Sequence, residues 1–162
     1  LLPGDFVGYI PPGGQSVLHS VIAVTDSVVC AFRQIDLDEM LEQHQGLAAQ
    51  MVGLQSRYMA SCQSAMLGLG RKSAEQRIAY LIAELYHRLK NRGQLQPGST
   101  RLQFPITQEM LGDLTGLTPV HTNRVLRRLH ADGVLTASRQ DLDIHDLPRL
   151  LEIGEFEDTS VI

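Results

Sequence analysis

Residues 116–128, GLTPVHTNRVLRR, gather the side chains best suited to bind a partner. An arginine offers a planar fork of donors that can grip guanine O6 and N7, or a phosphate. Arg124 is the candidate for the guanine contact. Asn123 can pair with an adenine edge or a phosphate, and Val120 offers only apolar contact, for example to a thymine methyl. Thr107, Thr118, Thr122, His121, Arg127, Arg128 and Arg139 are candidates for phosphate contacts that position without reading sequence. For Arg127 and Arg128 a solvated helix end remains an equal alternative.

Such side chains work only if a helix presents them. Thr118 is a good N-cap and Pro119 fits the first helical position, where a missing N–H costs little. The spacing predicts a helix from there to about Asp132, ended by Gly133, with Val125, Leu126 and Leu129 as its core face. Outward positions are then Pro119, Val120, His121, Asn123, Arg124 and Arg127. Before it, Thr107 can cap a helix over about 108–115 carrying Met110, Leu111 and Leu114. Gly112 is small where two helices would cross, Gly116 suits an unusual backbone angle, and Leu117 can plug the gap. VLTAS and LDI, meeting around Ser138–Asp141, predict a hairpin directly after the second helix. Two short helices with a glycine turn followed by a hairpin make a winged helix-turn-helix.

The chain has 162 residues and a net charge of −4, which argues against a polyanionic partner only until it is divided. From Arg71 to Arg139 there are eleven Lys/Arg and five Asp/Glu, a net of +6, and the remainder is −10. The basic charge surrounds the candidate motif.

Upstream, Ser73 and Gln76 can cap a helix through RKSAEQRIAYLIAELYHRLKNRG, with Ile78, Ile82, Leu85 and Leu89 on one face and Leu81 beside them. A bend near Gly68–Ser73 would separate it from a long helix capped by Asp36 or Asp38. On that helix Leu47, Met51, Leu54, Tyr58, Cys62, Ala65 and Leu69 form one apolar stripe. The stripe can pack on its own domain or pair with a second copy. SVIAVTDSVVCAF, residues 20–32, is valine-rich and predicts two short strands turning at Asp26–Ser27. RLQF, 101–104, predicts another strand, and 146–153 a last short helix.

Other chemistries lack a foothold. Cys30 and Cys62 have no metal-site spacing and fit two buried thiols in a reducing cytoplasm. The six histidines show no H-x-x-x-H pair, and neither a P-loop, a G-x-S-x-G nor a dinucleotide fingerprint is present. No catalytic residue, metal or cofactor is assigned. No run of apolar residues is long enough to span a membrane. The sequence opens at Leu1 inside an apolar, glycine-punctuated stretch with no visible signal peptide, which suggests a longer protein.

Residues from about 5 to 145 resemble the second half of the CRP/FNR family of bacterial transcription regulators. ITQEMLGDLTGLTPVHTNRVLRRLHADGVL resembles its helix-turn-helix, and LGRKSAEQRIAYLIAEL its link from the dimer helix. GDFVG with SVIAVTDSVVCAF resembles the last strands of its cyclic-nucleotide-binding-type β-roll. The resemblance implies an α+β fold of three parts: a partial β-roll sensor domain over 1–34, a dimerisation helix over 35–70 and the winged DNA-binding domain over 71–162. It implies a cytoplasmic homodimer on a palindromic double-stranded DNA site, with RNA polymerase as a further partner. It also makes the stripe from Leu47 to Leu69 the pairing surface.

Departures from the family pattern matter. Tyr9 follows Gly8 where nucleotide-binding members carry Glu, QSVLHS contains no arginine for a phosphate, and Cys62-Gln63 replaces a base-contacting Thr-Ser pair. These argue against control by cyclic AMP. Val120 stands where relatives often carry a base-reading Glu, which implies a different half-site, while Arg124 is retained. A protein-interaction module that has lost DNA binding is the alternative.

Overall fold

The computed structural model describes residues 1–8, 16, 19–138 and 140–157. These form two compact units, Leu1–Ser64 and Ala65–Ile162.

In the first unit, residues 19–32 form neither helix nor strand. The two strands expected there are therefore not found. Val28 and Val29 stand 98% and 83% exposed. Valine favours strands because it packs well on a pleated, half-buried surface, and no neighbouring strand among the described residues supplies one. A lone two-stranded hairpin would be marginal in any case.

The expected single helix is two: α1, Gln34–Gln43, and α2, Gln45–Arg71, interrupted at His44. Arg33, not Asp36 or Asp38, occupies the α1 N-cap. Asp36 lies in the first turn, where a hydrogen bond from the Arg33 guanidinium holds its carboxyl below the ordinary range. Both cysteines are exposed, contrary to the expected burial.

In the second unit, α3 spans Ala74–Asn91. Its start is the anticipated capping box: Ser73 Oγ accepts from the Gln76 N–H, and Gln76 Oε1 accepts from the Ser73 N–H. Ile78 and Ile82 are fully buried, with Tyr86 and Leu89 nearly so. Leu81 and Leu85 are only half-buried. The strands β1 (Arg101–Gln103), β2 (Leu135–Ala137) and β3 (Asp141–Ile144) form an antiparallel sheet in the order β1-β3-β2. Leu142 is paired with Leu102 on one side and Ala137 on the other. The last helix, α6 (Leu147–Gly154), lies against α3 so closely that a Cβ on Gly154 would sit 2.8 Å from the Tyr80 nitrogen. Lys72 Nζ donates to the Gly154 carbonyl and lies 4.4 Å from the Tyr80 ring centroid, and Phe156 meets both Tyr80 and His87.

Between these elements lie α4, Gln108–Thr115, and α5, Pro119–Ala131. The turn that joins them folds back onto α4 more closely than any side chain permits: a Cβ at Gly112 would lie 2.5 Å from the Leu117 carbonyl oxygen. That oxygen is backbone and cannot swing aside. Gly116 makes the turn at φ +64°, and a Cβ there would lie 3.0 Å from Leu69. Leu111 and Leu129 are buried, but Leu114, expected on the apolar face, is 57% exposed.

Gly112→Ala is expected to cost about 1–3 kcal/mol through overpacking, read by chemical denaturation. Gly53→Ala in the interior of α2, whose Cβ would meet only Arg57 at 3.7 Å, is expected to stabilise by about 0.5–1 kcal/mol. Equal effects at the two sites would contradict the close approach.

Candidate nucleic-acid interface

Local capping sets where α5 begins. Thr118 Oγ1 accepts from the His121 N–H at 3.3 Å, and Pro119 holds the first helical position. Thr107 does the same for α4, accepting from the Met110 N–H at 3.1 Å. Each hydroxyl still has its own proton to donate, so both threonines can cap a helix and bond a phosphate together. Uncapped helix-start amides at the same ends add donors and positive potential. At the far end, Asp132 is the C-cap and Gly133 takes φ +71°.

The helix separates its two faces sharply. Val125 and Leu129 are buried, with Leu126 half-buried, while Pro119, Val120, Arg124, Arg127 and Arg128 face solvent. Val120 is 81% exposed, which leaves its methyl groups open to an apolar contact with a base. His121 and Asn123 are half-buried. Thr122 is the exception among the expected backbone contacts. Its side chain is fully buried, turned toward the crossing, with Oγ1 3.4 Å from where a Gly112 Cβ would stand. A phosphate cannot reach that hydroxyl, so Thr122 belongs to the helix packing instead.

Electrostatics distinguish the three arginines. Arg124 and Arg127 make no ion pair among the described residues, so their forks are uncommitted. Arg128 lies 3.6 Å from Glu75 on α3 and 3.8 Å from Asp132. It would have to leave or share these carboxylates to bind a phosphate. Asn123 Nδ2 donates to Gln108 Oε1 at 2.9 Å, joining α5 to the first residue of α4.

The hairpin β2–β3 stands beside the end of α5 as the wing. Thr136 Oγ1 is hydrogen-bonded to His130 Nδ1 of α5 and to His145 Nε2 after β3, at 3.0 and 2.8 Å. Ser138 is tied to Asp141 by three hydrogen bonds, two through its hydroxyl and one from its backbone N–H. The acidic pair on β3 is answered by β1: Arg101 lies 3.0 Å from Asp141 and 3.7 Å from Asp143. The hydrogen bond to Asp141 is the main reason the Arg101 guanidinium titrates above its usual range. Arg139, expected at the wing tip, lies outside the described residues.

On α2, the stripe expected to pair lies partly covered. Leu47, Met51, Leu54 and Tyr58 are half-buried, while Cys62, Ala65 and Leu69 are exposed. One position further on, Val52, Met59 and Met66 repeat every seven residues and are 67%, 60% and 72% exposed. Leu41 of α1 and Met51, Val52, Gln55 and Met59 of α2 line an open groove.

Gln108 and Glu75 are the two functional neighbours that sequence reading missed. Both act across gaps between elements, which periodicity does not show. Among the described residues no three His, Cys, Asp or Glu side chains gather as a metal site. No helix among them is long and apolar enough to cross a membrane.

Residues 76–153 match the Crp-like helix-turn-helix domain. Over 156 residues the chain is 34% identical to the transcriptional activator protein FnrL of Cereibacter sphaeroides, covering 94% of this chain and 61% of that protein. It is 30% identical to the fumarate and nitrate reduction regulatory protein of Escherichia coli, covering 94% and 60%. The chain thus spans about three fifths of the length of these relatives. Among solved structures, a CooA mutant from Carboxydothermus hydrogenoformans has a TM-score of 0.61 at 19% identity, over 74% of this chain and 54% of that one. FixK2 from Bradyrhizobium japonicum has a TM-score of 0.60 at 23% identity, over 76% and 60%. At these identities the structures show a shared fold, the α+β architecture with a helix-turn-helix domain. The matched domain places residues 76–153 in the Crp-like helix-turn-helix family, and over most of its length the chain is similar to CRP/FNR-type transcription regulators.

Proposed function

We propose that this protein is a sequence-specific DNA-binding transcription regulator that acts as a homodimer on a palindromic site. The observation that carries the reading is the outer face of α5. Its capped start presents an exposed Val120 and two arginines, Arg124 and Arg127, that make no ion pair among the described residues, in the most basic part of the chain. In this reading α5 enters the major groove. Arg124 reads a guanine, Asn123 an adenine edge, and Val120 an apolar base edge. Thr107, Thr118, His121, Arg127, Arg128 and Arg139 hold phosphates on either side.

The parts then divide as the sequence implied: 71–162 for DNA, 35–70 for pairing, and 1–34 as the end of a β-roll. The exposed repeat of Val52, Met59 and Met66 favours a pairing seam centred on these residues, continued by Cys62 and Leu69. Met51, Tyr58 and Ala65 flank it, and Leu47 and Leu54 lie further round the helix. Two-fold symmetry through such a seam places half-sites about 34 Å apart, one turn of DNA. Cys62-Gln63 on this helix offers no Thr-Ser pair for a cyclic nucleotide base, so control by cyclic AMP is not part of the reading. A cytoplasmic location and RNA polymerase as the downstream partner complete it.

Arg124→Ala is expected to weaken binding to the cognate duplex by about 1–3 kcal/mol while changing binding to random duplex far less. Equal loss on both would contradict base reading by Arg124. Met59→Glu is expected to halve the mass measured by light scattering. An unchanged mass would contradict the seam.

A further inference from the structure

A base contact by Asn123 needs something to hold its amide in place. An asparagine amide is a poor reader when left alone. Its terminal torsion is broad, so donor and acceptor exchange places freely. Here the amide is tethered: Asn123 Nδ2 donates to Gln108 Oε1 at 2.9 Å. The two residues are fifteen apart in sequence and sit on different helices. Those helices are joined by the turn that folds back at Gly112–Leu117, and Leu111, Val125 and Leu129 on them are buried.

We infer that Gln108 is a positioning residue that orients the Asn123 amide for adenine and, with its own amide nitrogen, holds the adjoining phosphate. The inventory of donors and acceptors supports both parts. The tether uses one N–H of Asn123. Its Oδ1 and second N–H remain, and that pair matches adenine N6–H and N7 in the major groove. The tether uses only Oε1 of Gln108. Its NH2 group keeps two donors, at the start of α4 beside the Thr107 cap, where backbone amides also point outward. Fixing the amide before binding reduces the ordering cost that the base contact must otherwise meet. Gln108 thus contributes to specificity without touching a base.

This rests on the reading of α5 as the base-reading helix, and the test separates the two. Affinities of the full protein are measured for synthetic duplexes carrying each of the four base pairs at every half-site position. Wild type, Asn123→Ala, Gln108→Ala, Gln108→Glu and the double alanine variant are compared. Asn123→Ala is expected to remove a preference for adenine at one position. Gln108→Ala is expected to reduce the same preference by about tenfold, leaving the guanine preference of Arg124 intact, and to add nothing in the double variant. Gln108→Glu keeps the acceptor for Asn123 but replaces the phosphate donor with a charge. It is expected to retain the adenine preference while losing affinity for all duplexes alike. Loss of the preference in Asn123→Ala but not in Gln108→Ala would overturn the inference and leave the reading of α5 standing. No change of preference in Asn123→Ala would overturn both. Equal loss in Gln108→Glu and Gln108→Ala would overturn the tether as its cause.

Discussion

The contact between the Gly112 backbone and the Leu117 carbonyl sets the geometry on which the interface depends. With no side chain at Gly112, the turn can fold back onto α4, bringing the Leu117 carbonyl against its backbone and the Thr122 hydroxyl of α5 beside it, and the left-handed turn at Gly116 leads the chain into α5. Thr122 is driven into the crossing as a consequence, and its neighbours are rotated outward. Val120, Arg124 and Arg127 owe their exposure to that rotation. The pairing of Asn123 with Gln108 depends on the same turn, which brings the start of α4 within hydrogen-bond reach of α5.

Charge follows the same division of labour. The chain is acidic in total, yet its positive charge is concentrated between Arg71 and Arg139, the stretch that holds α3, α5 and the wing. Within that region, acids are placed against particular bases. Asp141 and Asp143 face Arg101 across the sheet, and Glu75 and Asp132 face Arg128. Arg124 and Arg127 have no acid paired with them among the described residues. Exposed pairs of this kind add little to stability, so their effect is on which cations remain available to a polyanion.

What the sequence revealed depended on how local each determinant was. Thr107, Thr118 and Ser73 cap helices through bonds to residues three positions away, and all three were legible. So were Gly116 and Gly133, whose backbone angles few other residues tolerate. Determinants that depend on distant partners were not. The valines of 20–32 looked like strands, but a strand needs a neighbour, and none of the described residues provides it. Thr122 looked like a phosphate ligand because its hydroxyl suits one, whereas its burial is decided by Gly112 ten residues earlier. The interruption at His44 and the exposure of Cys30 and Cys62 carried no local signal.

The central claim is that α5 occupies the major groove of a two-fold site. Guanine N7 methylation protection on the bound DNA tests it most directly, since N7 lies only in that groove. The expected result is two protected patches on one face of the duplex, one helical turn apart, with protection lost from the matching guanine in Arg124→Ala. No protection of guanine N7 across the site, or an unpaired single patch, would contradict the account.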